Sequence, residues 1–194
     1  FPIHPVWEVT NACNLHCKQC HANSGKPIPG ELSPEEGKRL LDDMAAIGEF
    51  RMLAFGGGEP LLRPDIFELV DYARNLGLEI SIATNGTLLT REMLRKFSKM
   101  GVANIAVGLN ANDEEVHEQI THVAGSFAKS KRAIYATLEA GLNLQINTTV
   151  MKENRAAIPG LLDFASEVGA QIVLLDQLVP EGRGDEAMEL PMRD

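Results

Sequence analysis

Residues 79–109 read EISIATNGTLLTREMLRKFSKMGVANIAVGL, and the order of patterns within them decides the fold. Ile80-Ser81-Ile82-Ala83 is a short, largely apolar run of strand length. Thr90 then caps a helix predicted over 91–100, Gly101 ends it, and 103–109 turns apolar again. Strand, helix and strand in that order require a parallel pair joined by a right-handed crossover. Outward from this unit the pattern repeats. Gly48, Gly77, Gly101, Gly141 and Gly169 each follow a helical pattern and precede a strand-like one, where glycine ends a helix in the left-handed conformation. These stops predict strands near 5–10, 51–56, 79–84, 103–109, 143–150 and 171–179, with helices near 34–47, 64–76, 91–100, 127–140 and 155–168. Ser33, Pro34 and Glu36 supply a capping box with proline in the first turn. Such βα units form either an open doubly wound sheet or a curved partial barrel, and periodicity alone leaves both open.

With 194 residues, 44% of them hydrophobic, the chain suits one domain over 1–194. A net charge of -9 gives no broad basic surface for nucleic acid, so a small molecule or a peptide is the expected partner. Phe1-Pro2-Ile3-His4-Pro5 lacks a basic start and an apolar signal core, and no apolar run reaches membrane-spanning length. A soluble protein without a membrane partner is expected. The longest connection, 110–126, is polar and contains His117 and His122, to which no role is assigned. Pro180-Glu181-Gly182-Arg183-Gly184 follows the last strand, and an acidic tail replaces a sixth helix.

Chemistry concentrates in the loops that follow the strands, which share one face in parallel α/β folds. The chain's three cysteines, Cys13, Cys17 and Cys20, lie together after the first strand. A [4Fe–4S] cube normally takes four thiolates, so a three-ligand loop leaves one iron free to bind a cofactor or substrate. The same residues could instead form a zinc site completed by His16 or His21, or be unrelated buried thiols. With no cysteine left for a disulfide, a reducing, cytoplasmic interior is expected. After the second strand, Gly56-Gly57-Gly58 lets backbone approach a ligand closely, and Glu59 adds a negative charge that suits an ammonium and repels phosphate. A sharp turn needing glycine would look alike. Thr84-Asn85-Gly86, Asn110-Ala111-Asn112, Asn147 and Thr149 continue the polar rim.

Cys13, Cys17 and Cys20 together with Gly57-Gly58-Glu59-Pro60 resemble the radical S-adenosylmethionine (SAM) superfamily, across nearly the whole chain. Thr84-Asn85-Gly86 and Ile146-Asn147-Thr148-Thr149-Val150 are similar to its SPASM-type branch, and Leu178-Val179-Pro180-Glu181-Gly182-Arg183-Gly184 resembles the haem-biosynthetic members. The resemblance implies an α/β fold, a partial (β/α)6 TIM-like barrel, here without the C-terminal cluster-binding extension. It implies an enzyme with a [4Fe–4S] cluster on Cys13, Cys17 and Cys20, and SAM whose amino group meets Gly57, Gly58 and Glu59. Gln19, through its backbone, and Leu178 would approach the adenine, Asn110 a ribose hydroxyl or the substrate, and Asn147 and Thr149 the cofactor cleft. No side chain is assigned as catalytic. A tetrapyrrole or peptide substrate and an electron donor such as a flavodoxin or ferredoxin follow, the other class of reading being a non-catalytic iron–sulfur electron carrier or scaffold. The sequence departs from the family pattern at Gly108, Asn110 and Thr121, where many relatives carry serine, aspartate and arginine.

Overall fold

The computed structural model describes residues 4–49 and 51–190, so readings of Phe1-Pro2-Ile3 and of residues 191–194 lie outside the described residues. Six strands, β1 (Val6–Glu8), β2 (Met52–Gly56), β3 (Glu79–Thr84), β4 (Asn104–Gly108), β5 (Asn143–Val150) and β6 (Ile172–Gln177), pair in sequential order. Every pairing is parallel. A doubly wound sheet reverses its strand order at a switch point. This one never does, so the sheet curls in one direction into a half-barrel with β1 and β6 as its edges.

The crossover helices are α1 (Pro34–Ile47), α2 (Ile66–Asn75), α3 (Arg91–Lys99), α4 (Glu114–Thr121), α5 (Ser126–Glu139) and α6 (Ile158–Val168). All five predicted stop glycines adopt positive φ, between 70° and 86°. The capping box forms as read: the Glu36 N–H donates to Ser33 Oγ at 3.3 Å and the Ser33 N–H to Glu36 Oε2 at 2.9 Å. Thr90 Oγ1 accepts from the Met93 N–H at 3.1 Å and starts α3. One element escaped the sequence pattern. Residues 110–126 contain α4, capped by Asp113 Oδ1 on the Val116 N–H at 2.9 Å and anchored by buried His117, Ile120 and Thr121. With only two apolar positions in eight residues, Val116 and Ile120, its sequence shows no helical stripe.

The core lies between the sheet and the helices. Leu53, Phe55, Ile80, Ile82, Ile105, Val107, Leu144 and Ile146 alternate outward from the strands and meet Leu41, Leu69, Leu94, Phe97 and Leu161 from the helices. Each such side chain contributes about 1.5–3 kcal/mol by leaving water. The opposite strand face lines the lumen and is polar: Asn104 Nδ2 donates to Ser81 Oγ at 3.0 Å and to Gln145 Oε1 at 3.3 Å, and Gln145 Nε2 donates to Asn147 Oδ1 at 2.7 Å.

Candidate cofactor site

The cysteine loop leaves β1 and is closed at its neck by a parallel bridge between Ala12 and Gly25, with the Cys13 N–H donating to Gly25 O at 3.0 Å. Arg63, buried, donates to Val9 O at 2.8 Å and pairs with Asp65, while Glu31 accepts from Thr10 Oγ1 at 2.9 Å and the Asn11 N–H at 2.8 Å. At the tip, the His16 and Lys18 N–H groups donate to Thr121 O and Ile120 O at 3.1 and 2.9 Å, so α4 carries the loop's far end. The predicted polar connection is therefore a platform for the loop.

Glycines of the second loop enter here in an unforeseen way. A Cβ on Gly58 would lie 2.2 Å from Ala12 O, and one on Gly57, at φ +121°, 2.5 Å from Thr10 O. Close backbone approach is real, but the partner is the cysteine loop: the Gly58 N–H donates to Thr10 O at 2.8 Å and the Glu59 N–H to Ala12 O at 2.7 Å. Glu59 is fully buried and accepts from Thr84 Oγ1 and the Asn85 N–H, both at 2.8 Å, and from the Leu61 N–H at 3.2 Å. Burial pushes its carboxyl up to about 7, and those three donors restrain the rise. A carboxylate accepts about four hydrogen bonds, and these three donors take up most of that capacity.

All three cysteines are free and partly exposed. The Leu15 N–H reaches Cys13 Sγ at 3.5 Å and the Ser24 N–H reaches Cys20 Sγ at 3.3 Å, while Ser24 Oγ is buried with no partner. Burial, with repulsion from Cys13 and Cys20, pushes the Cys17 thiol up to about 12; burial likewise raises Cys13, with Glu59 adding repulsion. Cys13 and Cys17, whose thiols resist ionising, need a cationic core beside them before they act as thiolates. Among the described residues, no three His, Cys, Asp or Glu side chains gather tightly enough to enclose a single metal ion. A tetrahedral zinc site gathers its ligands on one ion; a cluster takes each thiolate on a separate iron, and three free thiols on one loop are a donor set of that kind.

Beside Cys17 opens a cavity of ≈ 190 Å³ whose lining includes Gln19, Asn110, His117, Asn147, Thr149 and Asp176. Asn110 is held from three directions: Gln19 Nε2 donates to its Oδ1 at 2.9 Å, its own N–H donates to His117 Nδ1 at 3.2 Å, and its carbonyl accepts from Asn154 Nδ2 at 2.9 Å. Because Nδ1 accepts, the ring proton sits on Nε2. Burial lowers His117 to about 4, so the ring is neutral. His117 Nε2 and Gln19 Oε1 are both buried without a partner, one a donor and the other an acceptor. Those orphaned atoms fit a ligand that offers both kinds of group.

The structure thus brings Gln19, Asn110, Asn147 and Thr149 together with Cys17 at one cavity, and Gln19 lines it. Gly57, Gly58 and Glu59 instead form the floor beneath the loop. Leu178 is not brought to this cavity; it lines an adjoining hollow with Val150, Leu175 and Leu190. His117 is the site residue that sequence reasoning passed over, because a histidine in a polar connection carries no local mark of burial.

A profile described as the Radical SAM superfamily matches residues 7–165. The chain is 40% identical over 190 residues to the AdoMet-dependent heme synthase of Methanosarcina barkeri, covering 97% of this chain and 54% of that protein. It is 34% identical over 186 residues to the mycofactocin maturase MftC of Mycobacterium tuberculosis, covering 95% and 47%. The chain thus spans about half the length of the curated relatives it matches. In fold it is similar to Streptococcus suis SuiB bound to the precursor peptide SuiA, with TM-score 0.84, 19% identity, and coverage of 98% of this chain and 43% of that one.

Proposed function

The chain belongs to the radical SAM superfamily, and we propose on that footing that it reductively cleaves S-adenosylmethionine at a [4Fe–4S] cluster to abstract hydrogen from a tetrapyrrole side chain in haem-type cofactor synthesis. When bound, the two groups supply one-electron cleavage of a C–S bond and a 5′-deoxyadenosyl radical. In this reading Cys13, Cys17 and Cys20 would hold the cluster and leave one iron open to SAM. Glu59 meets the ammonium with its remaining acceptor position, and Gly57 and Gly58 keep its loop pressed under the cysteines. Gln19 Oε1 and His117 Nε2–H satisfy the polar edges of the adenosine part, with Asn110, Asn147 and Thr149 lining the cleft. The carrying observation is the three-thiol loop set beside a cavity whose two buried polar atoms have no partner.

Residues 1–194 serve here as the core domain, in the cytoplasm, with reduction by a flavodoxin- or ferredoxin-like donor. No helix among the described residues is long and apolar enough to cross a membrane.

One observation favours a peptide as the alternative substrate. No lysine, arginine or histidine lies on any of the six strands, while Glu8, Glu79 and Asp176 do. The carboxylates of a tetrapyrrole need cations, which must then come from loops or from a further segment; a neutral or basic peptide suits the lumen directly. Anaerobic incubation with reductant and SAM, assayed for 5′-deoxyadenosine, tests the shared chemistry. Stimulation by an iron coproporphyrin supports the tetrapyrrole reading, and stimulation by a precursor peptide alone supports the alternative. No 5′-deoxyadenosine from cluster-loaded protein under any of these conditions would refute both.

A further inference from the structure

The segment after β6 folds back onto the cysteine loop. Gly182, at φ +62°, packs so closely that a Cβ there would lie 2.2 Å from His21 O and 2.5 Å from Cys20 O. The Arg183 N–H donates to Cys20 O at 2.9 Å, and its guanidinium donates through Nε to Cys17 O at 2.8 Å and through Nη1 to Ser24 O at 2.8 Å and Asn23 Oδ1 at 3.0 Å. Arg183 therefore spans the loop from Cys17 to Ser24, across 166 positions of sequence from Cys17. The rigid fork of arginine suits this geometry; a lysine ammonium, a point charge on a flexible stem, cannot span the same acceptors.

We propose that Arg183 is a positioning residue for the cluster, fixing the loop that carries Cys17 and Cys20 and supplying the positive charge that sets the cluster's one-electron potential. Reduction adds an electron to a centre already ringed by three thiolates, and a nearby cation stabilises that added charge. The proposal rests on the cluster assignment above and assigns Arg183 no contact with substrate.

The test uses the whole chain, reconstituted anaerobically without SAM, as parent, R183K and R183Q. Midpoint potentials come from EPR-monitored redox titration and iron release from a chelator chase. In R183Q the reduction equilibrium is expected to shift about tenfold toward the oxidised form, which is about 59 mV for a one-electron couple. R183K keeps the parent potential and loses iron faster than the parent. An unchanged potential in R183Q, or an equal shift in both variants, overturns the charge role; iron release at the parent rate in both overturns the clasp. If R183Q takes up no cluster, uptake by R183K upholds the proposal and failure of both alike overturns it. Absence of SAM cleavage by the parent would sink the proposed function without touching these measurements.

Discussion

Replacing Glu59 by glutamine isolates the buried carboxyl at the base of the site. Its folded value of about 7 stands against an ordinary 4.5, a difference of about 2.5 units, or about 3 kcal/mol at ~1.36 kcal/mol per unit. A raised carboxyl value means that between those limits the folded chain binds the proton and the unfolded chain does not. Stability is therefore greatest at low pH, falls as pH rises through the window, and levels above 7. Between pH 5 and pH 8 the loss from this group is about 2.5 kcal/mol. Glutamine is neutral throughout, but its NH2 must face a donor among the Thr84 hydroxyl and the Asn85 and Leu61 N–H groups, a mismatch that costs about 1–3 kcal/mol. E59Q is thus expected to be the less stable protein at pH 5, with a deficit that shrinks by about 2.5 kcal/mol at pH 8. Urea unfolding of the cluster-free parent and variant at both pH values measures this difference of differences, so other titrating groups cancel. Parallel pH profiles for the two proteins would refute the reasoning.

Cys17→Ala is expected to abolish stable cluster assembly, and iron and sulfide at parent content in that variant would contradict the ligand assignment. Gly58→Ala forces its Cβ against Ala12 O and displaces the Gly58–Thr10 and Glu59–Ala12 hydrogen bonds, for a loss of about 1–3 kcal/mol in urea unfolding with poorer cluster retention; parent values for both would show that the cysteine loop does not lean on this glycine. His117, lowered to about 4 from 6.5, destabilises the protein as pH falls, because the unfolded chain takes up the proton first; up to about 3 kcal/mol is lost between pH 6.5 and 4, and His117→Phe should remove that acid slope. An unaltered slope in the variant would place the titration elsewhere.

Much of the barrel was legible because its signals are local. A helix stop needs a positive φ within one residue of the last turn, and each of the five glycines read that way adopts it. Periodicity alone did not separate an open sheet from a half-barrel, since that depends on which strand pairs with which; the resemblance carried by the cysteine and glycine motifs pointed to the half-barrel, and the sequential strand order bears it out. Helix α4 was missed for the converse reason: its stability comes from Asp113 and from side chains packed beneath the cysteine loop, with too few apolar positions for a stripe.

At the site the same division between near and far holds. The spacing of Cys13, Cys17 and Cys20 is local and readable, but what holds their loop comes from Glu31, Arg63, Ile120, Thr121 and Arg183, each through one or a few contacts that leave no periodicity. The glycines at 57 and 58 make a contact that the residue pattern does not announce. Both require an absent side chain, because the backbone of Thr10 and Ala12 occupies the space where a Cβ would lie. Glu59 is consequently fixed by the loop packing before any ligand arrives, and its carboxyl is buried at a cost that a bound ammonium would offset. A charge held in place by the same contacts that seat the cysteine loop couples the two halves of the proposed site: loosening Gly58 should weaken ligand binding through Glu59 and cluster retention through the loop together.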